Sequence, residues 1–183
     1  MNTRFTILAV LTAVSLSTFH AGTAAGDEVE TLIQTLASPY QAERDEAQEE
    51  LLKKGAAAVE VLIRSLESDN YFIRKISAEL IERSAEKAHT EALSKELPEY
   101  INKEPEVAVP LMNALARLRE KQAISSLRAA VAGGGAAVRA GAVELLGELG
   151  DEESAKDIFV LLRDGHSEVR SASARALAKL KAK

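Results

Sequence analysis

Histidine is the side chain best suited to move protons near neutral pH or to hold a transition metal. This sequence has three, His20, His89 and His166, and each stands alone, with no His-Glu pair anywhere. Cysteine is absent, which removes thiolate nucleophiles, thiolate metal sites and disulfides together. Ser154, Ser171 and Ser173 have no histidine at an activating offset, and no Gly-x-Ser-x-Gly elbow encloses them. Gly133, Gly134 and Gly135 would offer amides to an anion, but no Gly-Lys-Ser/Thr follows; the triplet reads as a flexible turn. Carboxylates are plentiful in RDEAQEELLKK and GDEESAKD, yet a catalytic pair needs a pocket that splits its pKa values. Spacing instead sets Glu49 four residues before Lys53 and Glu79 four before Arg83, which are solvated helix pairs worth ~0.2–0.5 kcal/mol each. No catalytic, cofactor-binding or metal-binding residue is assigned, and the chain is expected not to be an enzyme.

The elements beneath these residues are helical. Hydrophobic residues make up 46% of the chain but aromatic ones only 4%, and four prolines and ten glycines are too few for a many-stranded β fold. Ala, Leu and Glu supply the bulk, and all three favour helix. Net charge is −5 with no long basic run, which excludes nucleic acid as a partner.

The helices repeat. IFVLLRDGHSEVRSASARALAKL aligns with SLRAAVAGGGAAVRAGAVELLGELG on Val169-Arg170 and Val138-Arg139. Further upstream the same place is taken by Val107-Ala108, Ile73-Arg74 and Arg44, so markers recur every 30 to 34 residues. Three residues past the markers stand Ala47, Ser77, Leu111, Ala142 and Ser173; seven past stand Leu51, Ile81, Leu115, Leu146 and Leu177. Steps of three and four share one helix face, so each marker opens an amphipathic second helix. Leu32/Leu36, Leu62/Leu66, Leu97/Ile101, Leu127/Val131 and Ile158/Leu162 define a first helix before each marker. A period of this length signals stacked helical hairpins. The small residues of the second helices let neighbouring hairpins approach closely, with Leu146 and Leu177 entering the next layer.

This pattern resembles the HEAT repeat, in the short alanine-rich form of phycobilin-lyase-type proteins, over about residues 27 to 182. Asp164, Val169, Arg170, Ser173, Ala174, Ala176 and Leu177 carry the likeness in the fifth repeat, and Leu146-Gly147 and Leu149-Gly150 in the fourth. The third departs, with Ala108 at the marker and a Glu104-Pro105 turn that signals either a bend in the stack or a repeat out of register. The resemblance implies an all-α, right-handed α-solenoid of about five hairpins. Arg44, Arg74, Arg139 and Arg170 are structural markers in it, forming a polar ladder that is incomplete because only Asp69 and Asp164 stand at the partner position.

The resemblance also implies that the second helices line one face. Five past each marker lie Glu49, Glu79, Asn113, Glu144 and Arg175; nine past lie Lys53, Arg83, Arg117, Glu148 and Lys179. That face is graded from acidic to basic and is the expected protein-binding surface. Tyr71, in the turn DNYFIR, is the expected aromatic contact, with Phe72 tucked into its repeat. The expectation is a scaffold for another protein, without cofactor. The alternatives are a chromophore-handling lyase of the same repeat type, or a purely structural stack.

The start of the chain carries a different signal. Arg4, an apolar stretch from Phe5 to Leu16 and then small residues read as a secretory leader over 1–25, cleaved after Ala25 or Ala24. The apolar run falls short of the ~20 residues that span a bilayer, so no stable membrane insertion is expected after cleavage. The repeat domain, 26–183, is then periplasmic or secreted, and stable by packing alone.

Overall fold

The computed structural model describes residues 24–181. Ten helices follow one another: α1 (Ala24–Thr35), α2 (Gln41–Lys54), α3 (Ala56–Ser65), α4 (Tyr71–Ser84) and α5 (Thr90–Tyr100), then α6 (Pro105–Leu118), α7 (Lys121–Ala132), α8 (Ala136–Leu149), α9 (Ala155–Val160) and α10 (Ser167–Lys181). A 3-10 turn at Leu161–Arg163 continues α9. Successive helices pair into five hairpins, and the hairpins stack into an α-solenoid without a strand among the described residues. The expected leader lies outside the described residues except for Ala24 and Ala25, which open α1.

Each marker is the fourth residue of a second helix. From there the arginine turns back onto its own hairpin. Nη1 of Arg44 donates to Ser38 O (2.6 Å), that of Arg74 to Ser68 O (2.7 Å), and that of Arg139 to Gly134 O (2.6 Å). Nη1 of Arg170 donates to the carbonyls of Asp164 (2.8 Å) and Gly165 (3.1 Å). A carbonyl left without a helical partner in the hairpin turn thus receives a charged donor, which is stronger than a neutral one.

Arginines also reach forward to the next layer. Arg74 grips Glu104 with Nε at 2.9 Å and Nη2 at 2.7 Å, and Arg139 grips Asp164 with both contacts at 3.0 Å. Glu104 therefore supplies the acid that the third repeat lacks at the Asp position, and Pro105 occupies the first helical position of α6, where its missing N–H costs nothing. The turn thereby fastens the second hairpin to the third. Asp69, one place nearer its marker than Asp164, is exposed and makes no ion pair among the described residues. In α7, Arg128 clamps Asp151 through Nε (2.8 Å) and Nη2, and Glu153 through Nη1 (2.7 Å). That clamp, helped by Ser154, holds the Asp151 carboxyl below the usual carboxylate range. Tyr100 O–H donates to Leu66 O (2.7 Å), and burial pushes its phenol up to about 12.

The core runs the length of the stack. Ala47, Ser77, Leu111, Ala142 and Ser173 are buried, as are Leu51, Ile81, Leu115 and Leu146. Leu177 differs: no layer follows it among the described residues, and it stays half-buried. A Cβ on Gly147 would lie 2.8 Å from both Cα and Cβ of Ala176, so α8 and α10 meet at backbone distance. The glycine turn is packed rather than flexible. Gly134 has φ +78°, its N–H donates to Asn102 Oδ1 (2.8 Å), and an added Cβ would sit 2.8 Å from Ile101 O.

Candidate interaction groove

The second helices lie side by side, and their charged rows are bridged between layers. Arg175 pairs with Glu144 and Lys179 with Glu148 (3.1 Å), joining α10 to α8. Both pairs are solvated, so each contributes ~0–1 kcal/mol at most. Asn113 Nδ2 donates to Glu82 Oε1 (3.1 Å), and Arg117 Nη2 caps α4 through Glu82 O (3.0 Å) and Ala85 O (2.7 Å). Glu49, Glu79 and Arg83 are exposed and make no ion pair among the described residues. The i,i+4 pairs read from spacing do not form, since Lys53 bonds Glu50 (2.7 Å), one turn-step nearer than Glu49.

Between the C-terminal ends of α6 and α8 the face opens into a recess of about 370 Å³, lined by Asn113, Ala116, Arg117, Arg119, Leu145, Glu148 and Leu149. Ala116, Leu145 and Leu149 give it apolar walls, while Arg117 and Arg119 make its rim cationic. Glu148 is already neutralised by Lys179. The recess thus gathers Asn113, Arg117 and Glu148 from the expected rows, with Glu144 one turn away on α8 and Arg175 and Lys179 on α10. Glu49, Glu79 and Arg83 stand in the first two layers, outside it.

Arg119 was not among the residues read from the rows. It closes α6 in the left-handed region (φ +56°, ψ +25°), and is the one non-glycine residue with positive φ among the described residues. Gly55 and Gly150 hold the same place in the first and fourth repeats, at φ +56° and +74°. An arginine there costs about 1–2 kcal/mol of backbone strain. The signal was an arginine at the glycine position of the repeat, eleven residues past the marker.

Tyr71 lies elsewhere. It opens α4, at the hairpin-turn edge, whereas the recess sits at the opposite ends of the second helices. The aromatic assignment is also reversed: Phe72 is 63% exposed and Tyr71 37%. The rings meet edge to face at 5.7 Å, and the Arg74 guanidinium lies 6.0 Å from the Tyr71 ring centre. Tyr71 is thereby held against its own repeat, and Phe72 takes the outer place.

His166 is engaged rather than free. Its Nδ1 is 3.2 Å from Asp164 Oδ1, and its N–H donates to the same oxygen at 2.9 Å. That backbone bond, followed by the His166 side chain and Arg139, holds the Asp164 carboxyl below the usual range. Among the described residues no group of three or more His, Asp or Glu side chains is placed to hold a metal, and no helix is long and apolar enough to cross a membrane.

Residues 134–183, which take in α8 to α10, match the family model described as HEAT repeats. No curated protein matches the sequence. Among solved structures, a chain from the complex of CpcE and CpcF of phycocyanin lyase from Nostoc sp. PCC7120 is similar, with a TM-score of 0.67 and 18% identity, over 82% of this chain and 98% of that one. An engineered protein is similar with a TM-score of 0.53 and 20% identity, over 85% of this chain and 80% of that one. At these identities the likeness is one of fold.

Proposed function

We propose that this chain is an exported HEAT-type scaffold that holds another protein on the face of its second helices, with the recess between α6 and α8 as the anchoring point. The observation that carries this reading is the apolar recess with Arg119 on its rim. Arg119 is kept in a strained backbone conformation where sister repeats use glycine, and it makes no ion pair among the described residues. Strain of this kind persists where function needs it. The complementary ligand is a protein segment carrying a bulky apolar side chain for the walls and a carboxylate for Arg119. A guanidinium is the cation best suited to a carboxylate, because it can donate two parallel hydrogen bonds. The solved neighbour's own association, CpcE with CpcF, supports a protein as the partner class.

The test is a binding titration against the partner captured by the mature domain from the exported fraction. Arg119→Glu and Leu149→Glu should each weaken binding at least tenfold. Reversals on first helices, Glu60→Lys or Lys156→Glu, should leave it within about twofold, as should loss of the Tyr71 ring. Equal losses from both faces sink the groove.

A further inference from the structure

The recess has two unlike walls. Its α6 wall presents Asn113, Ala116 and Arg117, which share one helix face at steps of three and four, with Arg119 just past the helix end. Its α8 wall presents Leu145, Glu148 and Leu149. Cations and hydrogen-bonding groups thus stand on one side, and the larger apolar side chains on the other. Glu148 is already paired with Lys179 (3.1 Å), and its carboxylate keeps a second one away from the apolar wall.

Several polar atoms of the α6 wall are uncommitted. Arg117 directs Nη2 to Glu82 O (3.0 Å) and Ala85 O (2.7 Å), while its Nε and Nη1 have no acceptor among the described residues. The guanidinium of Arg119 has none among them either. Asn113 donates from Nδ2 to Glu82 (3.1 Å), and its Oδ1 receives no donor among the described residues. A recess of about 370 Å³ therefore offers a carboxylate two guanidinium groups, an N–H one amide oxygen, and an apolar side chain two leucines. Both helices end here, and the partial negative charge of their last carbonyls, with Glu82 and Glu148 close by, disfavours a second negative charge on the ligand. The fitting anion is one carboxylate rather than a phosphate.

We propose that the recess takes the free C-terminus of its protein partner: the terminal carboxylate on Arg119 and Arg117, the terminal amide N–H on Asn113 Oδ1, and a bulky apolar last side chain on Leu145 and Leu149. This rests on the recess being the anchoring point, and it names the part of the partner that enters. Neighbouring side chains of an extended segment leave the backbone on opposite faces, so an internal acid points away when the apolar residue beside it points in. An acid two residues off returns to the same face, but ~6.5 Å along the chain. In a terminal residue the carboxylate, the N–H and the side chain all sit on one Cα. No further chain has to cross the recess. Arginine also selects the acid over a blocked end. Its planar fork donates two parallel bonds to a carboxylate. A carboxamide offers one oxygen and sets its NH2 against the other donor.

Titration of the full chain, labelled with nitrogen-15 and followed through the backbone amides of residues 116–119 and 145–150, tests this with defined probes. The first probe is acetyl-Gly-Ser-Gly-Leu with a free terminal carboxylate. Its comparisons are the same peptide as the C-terminal amide, the amide of acetyl-Gly-Leu-Asp-Gly, and 4-methylpentanoate, which keeps the leucine side chain and the carboxylate but has no N–H. The free acid should bind with a dissociation constant on the order of 1 mM, as about nine anchored non-hydrogen atoms allow. The other three should bind at least fivefold more weakly. Arg119→Gly removes the guanidinium and places glycine at a left-handed position, so the fold is kept; it should weaken the free acid at least fivefold and leave the amide unchanged. Equal binding of acid and amide, or of the internal Leu-Asp peptide, overturns the C-terminal assignment and leaves the recess as an anchor. Equal binding of 4-methylpentanoate makes the ligand a small acid instead of a protein end. Silence from every probe overturns the assignment too. The groove itself is judged separately, by the response of the captured partner to Arg119→Glu.

Discussion

Arg139 and Asp164, 25 residues apart, share two hydrogen bonds of 3.0 Å that tie the fourth hairpin to the fifth. Arg139 also holds the turn of its own hairpin through Gly134 O, and Asp164 O receives Arg170. One ion pair thus joins two local staples. Arg139→Ala should lower the midpoint of urea unfolding more than Arg170→Ala, which loses only the staple. Arg74→Ala, which leaves Glu104 half-buried and unpaired, should cost about 1–3 kcal/mol. Equal small effects from all three would show that the forward contacts carry no stability.

Glycine at the layer contacts separates packing from propensity. Gly147→Ala would drive a methyl into Ala176 at 2.8 Å, so it should destabilise although alanine favours helix by about 1 kcal/mol. Gly141→Ala meets only the flexible end of Met112 at 3.4 Å and should stabilise by up to that amount. Thermal melts of the two variants should move in opposite directions.

Depth in the stack sets the cost of a cavity. Leu146 is fully buried, and Leu146→Ala should cost about 2–5 kcal/mol. Leu177→Ala, at the same repeat position but half-buried, should cost clearly less. Denaturant titration reads both.

Acid should loosen the two C-terminal layers first. Asp151 and Asp164 have folded pKa values below the usual carboxylate value. Their contribution is fully present above about pH 4, the unfolded value, and is lost as pH falls through the lower folded values. The melting temperature should therefore drop below about pH 4, and Asp151→Asn should flatten that drop while lowering stability at pH 7. An unchanged acid limb in Asp151→Asn excludes the assignment.

Export makes a chemical prediction. Cleavage after Ala24 or Ala25 leaves Ala25 or Gly26 as the first residue of the native protein, within the opening turn of α1. Intact-mass measurement of material from the exported fraction should find that terminus. An intact Met1 on cytosolic protein would refute it.

The hairpins were legible because their evidence is local: the step of three and four past each marker fixes a helix face, and a period near 31 fixes the stack. Glu104 escaped because the third repeat is longer, with 34 residues from Arg74 to Ala108, so the acid stands out of step with Asp164. The greater exposure of Phe72 than of Tyr71 escaped because both open the same helix, and only the course of the hairpin turn decides which ring faces further out. The groove is tertiary: its walls come from α6 and α8, and composition alone cannot bring Ala116 beside Leu145 and Leu149.

The arginine staples reach back only five or six residues, and no side-chain hydrogen bond among the described residues joins positions more than 35 apart. A chain wired this way has low contact order. Each hairpin can close on itself as soon as its turn is made, and then needs only its immediate predecessor to dock. Assembly should therefore propagate like a zipper and be fast. It can begin on the nascent chain with the first hairpin, well before α10 has been synthesised.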